Sequence, residues 1–272
     1  PARSWDGSGR PLLSKAVINR YKTQVLEKSG LSPSTINQRL SAIRKLAAEA
    51  ADNGLIDQQV ANGIARIHGV KAAGVRSGNW LTKDQAQELI NTPDTQTIKG
   101  LRDRAILAVM IGAGLRRSEV AALTFEQIGQ REGRWAIVDL TGKGNRVRTV
   151  PIPSWTKAAI DEWAQAAGID SGRVFRGVFH YGYKLDPKSE GITPQSVLHA
   201  VYDAAYLAGM QVAPHDLRRT FSKLAHKGGA SMEQIQLTLG HASVQTTERY
   251  LGVKQDLTDA PCDRLGLSLE GE

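Results

Sequence analysis

Four side chains between Pro214 and Tyr250 could together hold a phosphate and attack it: His215, Arg218, His241 and Tyr250. A phosphodiester has two non-bridging oxygens and a poor leaving group. Cleaving it without a metal needs a planar guanidinium to bind those oxygens and stabilise the pentavalent transition state, a nucleophile, and an acid for the departing alkoxide. Arginine and tyrosine meet the first two needs, with the histidines as hydrogen-bond donors or proton acceptors. Two cations upstream can complete the set: Arg116, in the turn after an apolar run, and Lys143, inside Gly-Lys-Gly.

Each residue taken singly has a plainer reading. Arg116 and Glu119 are i and i+3, the spacing of a salt bridge. The histidines could cap helices or sit in a core, Tyr250 could be a helix tyrosine with its hydroxyl in water, and Gly-Lys-Gly could be only a turn. Tyr21, Tyr181, Tyr183, Tyr202 and Tyr206 are the other tyrosines. Tyr202 and Tyr206, i and i+4 in an expected helix, read as packing residues. No HxxxH, CxxC or DxD cluster occurs, so metal chemistry is not expected.

The elements that must position these groups can be read from periodicity. Residues 101 to 111 are apolar on nearly every side, as in a helix buried within a domain, and Gly112 and Gly114 end it just before Arg116. RWAIVDL and RVRTVPI, between 134 and 152, alternate with period two around TGKGN and predict a β-hairpin with Lys143 at its tip. Helices are expected at about 154 to 167, 194 to 208, 215 to 227, 231 to 239 and 243 to 253, with a loop-rich stretch at 170 to 192 and a further helix at 260 to 269. On the helix from 215, His215 and Arg218 share a face.

The N-terminal third differs in charge. The chain of 272 residues carries a net charge of +8, and residues 1 to 79 hold twelve Lys and Arg against five Asp and Glu. That excess suits contact with a polyanion. The spacing of Leu13, Val17, Tyr21 and Val25 predicts one amphipathic helix over 13 to 28. Ile36, Leu40, Ile43 and Ala47 predict a second, opened by Ser32-Pro33 and ended by Asn53-Gly54, and a third covers about 57 to 67. Lys15, Arg20, Lys22, Arg39, Arg44 and Lys45 lie off the apolar stripes and are the expected phosphate contacts. Residues 68 to 79 contain three glycines and no sustained period, as in a linker, and a Thr82/Gln85 capping box opens the next helix. The single Cys262 excludes an intramolecular disulfide and fits a reducing cytoplasm; no apolar run reaches membrane-spanning length, so no membrane association is expected.

Taken in order, GLRRSEV (114 to 120), TGKGNRVRTVPI (141 to 152), HDLRRTF (215 to 221), LGH (239 to 241) and TTERYLG (246 to 252) resemble the signature boxes of the tyrosine recombinases, of the phage-integrase and Xer type. The resemblance implies an all-α N-terminal core-binding domain (1–72), a linker (73–79) and a mainly helical α+β catalytic domain with a small antiparallel sheet (80–272). It implies that Arg116, Lys143, His215, Arg218 and His241 surround the scissile phosphate, that Tyr250 is the nucleophile, and that Lys143 is the general acid. Glu119 would orient these groups without acting itself. The implied activity is site-specific recombination of double-stranded DNA through a 3′-phosphotyrosyl intermediate and a Holliday junction. The protein would be a homotetramer on DNA and a monomer in solution, would have accessory proteins as possible partners, and would use no cofactor. Arg117, Arg146 and Gly252 depart from the usual residues at positions that touch no implied catalytic group. Two alternatives stand beside this reading: relaxation of DNA by a type IB topoisomerase-like enzyme, and an idle DNA-binding or regulatory protein on the same fold.

Overall fold

The computed structural model describes residues 13–71, 79–142, 145–179 and 182–240. Lys143, Tyr181, His241, Tyr250, Cys262 and the helices expected after residue 242 lie outside the described residues. The chain divides into two compact units, Pro1–Arg76 and Ser77–Glu272.

In the first unit, α1 (Lys15–Tyr21), α2 (Pro33–Asp52) and α3 (Gln58–Ala65) enclose a core of Ile18, Leu26, Ile36, Leu40, Ala47, Ala61, Ile64 and Ile67. The Ser14, Ser32 and Asp57 side chains cap the three helices by accepting from backbone N–H groups. One expected face is different. The chain continues from α1 as a π-helical turn over Lys22–Leu26, which takes more residues per turn than an α-helix. The inward face slips by one position, so Leu26 is fully buried while Val25 is half exposed.

The second unit is built around α5 (Ile98–Gly112), whose residues from Ala105 to Ile111 are all buried. It packs against α4 (Lys83–Asn91), α6 (Arg117–Ala122), α7 (Ser154–Ala167), α8 (Pro194–Leu207) and α9 (Pro214–Lys227). The expected Thr82/Gln85 capping box is formed in both directions, at 3.0 and 3.2 Å. Trp163 of α7 is fully buried, and its indole N–H donates to the Val174 carbonyl at 2.7 Å.

The predicted hairpin is present as β2 (Arg134–Thr141) and β3 (Val147–Pro151), with Ile137 opposite Val150 and a register shift between Ile137 and Leu140. A strand that periodicity did not announce, β1 (Ile128–Arg131), pairs antiparallel with β2 and makes a three-stranded sheet. The stretch read as loop-rich holds a short hairpin, β4 (Val178–Phe179) with β5 (Lys184–Leu185). Strands this short give too few residues for a period to show. The mainly helical α+β class with a small antiparallel sheet is therefore observed. Tyr202 and Tyr206 are not packing residues: they are 48% and 85% exposed, because α8 buries the Val197, Ala200, Val201, Ala204 and Ala205 face. No helix among the described residues is long and apolar enough to cross a membrane.

Candidate active site

Arg116 sits at the N-cap of α6, immediately after a turn set by Gly114. Gly114 has φ +63°, and a Cβ there would lie 2.7 Å from Phe221 Cδ1 and 2.9 Å from Leu239 Cδ2. Both the backbone conformation and the space require glycine. The turn aims the Gly114 carbonyl at Arg218, whose Nη1 donates to it, while Nη2 donates to the Leu239 carbonyl. The Arg218 side chain is fully buried. Its guanidinium thus joins the end of α5, the α9 helix that carries it, and the end of α10 (Met232–Leu239).

Glu119, at the third position of α6, reaches back so that its Oε2 accepts the Arg116 N–H at 2.9 Å and its Oε1 accepts Arg116 Nη1 at 2.8 Å. The plain reading of Arg116 as half of a salt bridge is thus realised, and it does not exhaust the guanidinium. The Arg116 side chain is 30% exposed, and among the described residues its Nε and Nη2 make no hydrogen bond. Burial alone would push the Glu119 carboxyl up. The Arg148 guanidinium, the Arg116 N–H and the Arg116 guanidinium outweigh it and hold the pKa below the usual carboxylate range.

Arg148 is the residue that inspection of the motifs missed. It lies on β3 and forks onto Glu119, Nη1 to Oε1 at 3.1 Å and Nη2 to Oε2 at 2.9 Å, while Nε donates to the Thr238 carbonyl at 2.8 Å. A signal was present. Period two places Arg148 on the same strand face as buried Val150, and a charge on an inward face needs a partner.

His215 is the second residue of α9, after Pro214 and an Ala213 N–H that donates to Asp216 Oδ2 at 3.0 Å. His215 is exposed overall, yet partial desolvation of its ring first, then the positive charges of Arg219, Arg218 and Arg116, lower its pKa against the opposing pull of Asp216. The imidazole is therefore neutral near pH 7, able to donate from one nitrogen and accept at the other. His215, Arg116 and Arg218 line one cavity of about 450 Å³, with Arg117, Ser118 and Tyr202 at its rim and Leu115, Leu198, Ala213 and Pro214 as apolar wall. Arg116 and Arg218 are about a hundred residues apart in sequence. No group of His, Cys, Asp and Glu suited to a metal occurs among the described residues.

In the first unit, Lys15, Arg20, Arg39 and Lys45 are exposed. Lys22 and Arg44 are half-buried and spend donors on the segment after α3. Lys22 Nζ donates to the His68 carbonyl at 3.0 Å, and Arg44 Nη2 to that of Ile67.

A family model described as the phage integrase family matches residues 79–256. The chain is 31% identical over 242 residues to the tyrosine recombinase XerC of Pelobacter propionicus, covering 88% of this chain and 75% of that protein. It is 33% identical over 175 residues to XerC of Myxococcus xanthus, covering 64% of this chain and only 57% of that protein. Among solved structures, a XerH site-specific recombinase bound to its difH substrate superposes with a TM-score of 0.67 at 18% identity, over 91% of this chain and 69% of that one. A lambda integrase dimer on a core site gives 0.65 at 15% identity, over 91% and 84%. The structural matches carry the fold, and the sequence matches carry the family: the chain belongs to the phage integrase family of tyrosine recombinases.

Proposed function

We propose that this protein recombines double-stranded DNA at specific sites, with Tyr250 as nucleophile and Arg116, Lys143, His215, Arg218 and His241 around the scissile phosphate. The observation that carries the reading is the cavity in which Arg116, His215 and Arg218 meet from α6 and α9.

The Tyr250 phenol attacks phosphorus and forms a 3′-phosphotyrosyl ester, and the 5′-oxygen leaves as its bond to phosphorus breaks. Lys143 Nζ delivers the proton that turns this alkoxide into a 5′-hydroxyl, and a neutral histidine accepts the proton of the phenol. The arginines compensate the charge that grows on the non-bridging oxygens. Because the ester retains the energy of the phosphodiester, the 5′-hydroxyl of a second strand can attack it and release the tyrosine. Strands are exchanged through a Holliday junction without a cofactor. The basic helical unit acts as the core-binding domain, held to DNA phosphates by Lys15, Arg20, Arg39 and Lys45, with Lys22 and Arg44 nearby. The working form is a homotetramer on DNA, assembled from monomers in the cytoplasm, with accessory proteins as possible partners.

Tyr202 is a second tyrosine at the same cavity. Tyr250 is preferred because TTERYLG follows LGH in family order. The test uses a duplex selected from random-sequence DNA by the Tyr250→Phe protein, nicked so that the cleaved strand cannot be resealed. The parent and Tyr202→Phe should form a covalent protein–DNA adduct and Tyr250→Phe should form none while still binding. An adduct in Tyr250→Phe would remove it as nucleophile. Relaxation of supercoiled DNA without exchange between two selected sites would favour the topoisomerase-like alternative, and DNA binding with no adduct from the parent the idle one.

A further inference from the structure

We propose that Arg148 is a positioning residue that fixes the Arg116 guanidinium and the exit of α10 together, by gripping Glu119 with one edge of its fork and the Thr238 carbonyl with its Nε. The inference rests on the reading of the cavity as a phosphate site. It adds a residue outside the set of six.

The geometry is specific to arginine. Two donors of Arg148 meet both oxygens of Glu119, and a third, its Nε, meets the last turn of α10. An ammonium group has no planar fork and could not span both partners. Glu119 and Arg148 are almost fully buried, at 3% and 9% side-chain exposure, whereas Arg116 reaches solvent. Water therefore cannot easily replace the Arg148 hydrogen bonds, and removal of the guanidinium would leave Glu119 with Arg116 as its single cationic partner among the described residues.

The α10 end is held twice. Its terminal carbonyls have no partners within the helix, and Arg148 takes Thr238 while Arg218 takes Leu239. Gly240 follows with φ +62°, and a Cβ there would lie 3.1 Å from Arg148 Cδ. Directly after β2, Gly142 makes a similarly close approach: its Cβ would lie 2.8 Å from Arg148 Nη1 and 3.1 Å from Glu119 Oε1. Arg148 is thus enclosed by the β2–β3 hairpin, α6 and the α10 exit, and a shift at any one of these would be felt at the other two.

Two measurements test this on the full chain. On the selected nicked duplex, Arg148→Gln should bind with a dissociation constant within about twofold of the parent but form adduct with a single-turnover rate constant about 100-fold lower, the scale of a misplacement near 1 Å. Arg148→Lys should recover little of it. The defect should persist on a duplex whose scissile 5′-oxygen is replaced by sulfur, a leaving group that needs no acid. An unchanged rate constant with only a smaller amplitude would mean a misfolded fraction, and full rescue by sulfur would mean a defect confined to the acid; either result overturns the proposal. Without DNA, Arg148→Gln should speed amide exchange at both Arg116 and Gly240 by about tenfold, the value of one hydrogen bond, and leave Val174 unchanged. Acceleration at only one of the two overturns it as well. If the parent itself forms no adduct, the functional reading fails, and the exchange measurement alone decides the role of Arg148.

Discussion

Replacing Gly114 with alanine tests the turn that delivers Arg116 and orients the Gly114 carbonyl toward Arg218. Two costs can be worked from the structure. At φ +63° an alanine loses about 1 kcal/mol relative to glycine. The added Cβ would stand 2.7 Å from Phe221 Cδ1 and 2.9 Å from Leu239 Cδ2, and overpacking of this kind costs about 1–3 kcal/mol. The sum is roughly 2–4 kcal/mol, or a fall in Tm of roughly 5–15 °C for a domain of this size. Gly209, just after α8, is the internal control: its φ is +66°, yet a Cβ would meet nothing within 4 Å. Gly209→Ala should therefore show the backbone cost of about 1 kcal/mol alone. Urea denaturation of both variants, followed by tryptophan fluorescence, separates the two contributions. If the two substitutions destabilise equally, the close approach of Gly114 to Phe221 and Leu239 is refuted, and with it the idea that packing sets the Arg116 turn.

Three expectations accompany it. Because the folded Glu119 and His215 pKa values are both depressed, their contributions to stability are present above the unfolded values of about 4.5 and 6.5 and are lost as pH falls through the folded ones. Glu119→Gln should lower Tm at pH 7 and flatten its decline in acid, and an acid limb as steep as the parent's would remove Glu119 from that transition. Replacing exposed Arg39 and Lys45 with alanine should weaken DNA binding and reduce the slope of log K against log salt by about 0.9 for each phosphate that is no longer neutralised; an unchanged slope would take both out of the interface. Arg44→Ala, which removes the hydrogen bond to the Ile67 carbonyl, should instead show most of its effect as a lower Tm of the helical unit.

Much of the second unit was legible because its cues are local. The buried α5, the β2–β3 hairpin and the cap at Thr82 each depend on a few adjacent residues. What escaped has physical reasons too. β1, β4 and β5 are too short to carry a period, and the π-turn moved burial from Val25 to Leu26 without any compositional sign. The exposure of Tyr202 and Tyr206 followed from which face of α8 met the core.

The sequence by itself determined the residue types and their order: a guanidinium after an apolar helix, a lysine in a glycine turn, a histidine and arginine one helical turn apart, and a tyrosine at the end. It determined the family as well, since side-chain identity at ordered positions is a one-dimensional property. Only the tertiary structure decided that Arg116 and Arg218 share a cavity, that Arg218 is buried against two carbonyls, and that Arg148 rather than bulk water faces Glu119. Those facts depend on distances between residues far apart in the chain, and distance across a core is set by packing, which no local pattern encodes.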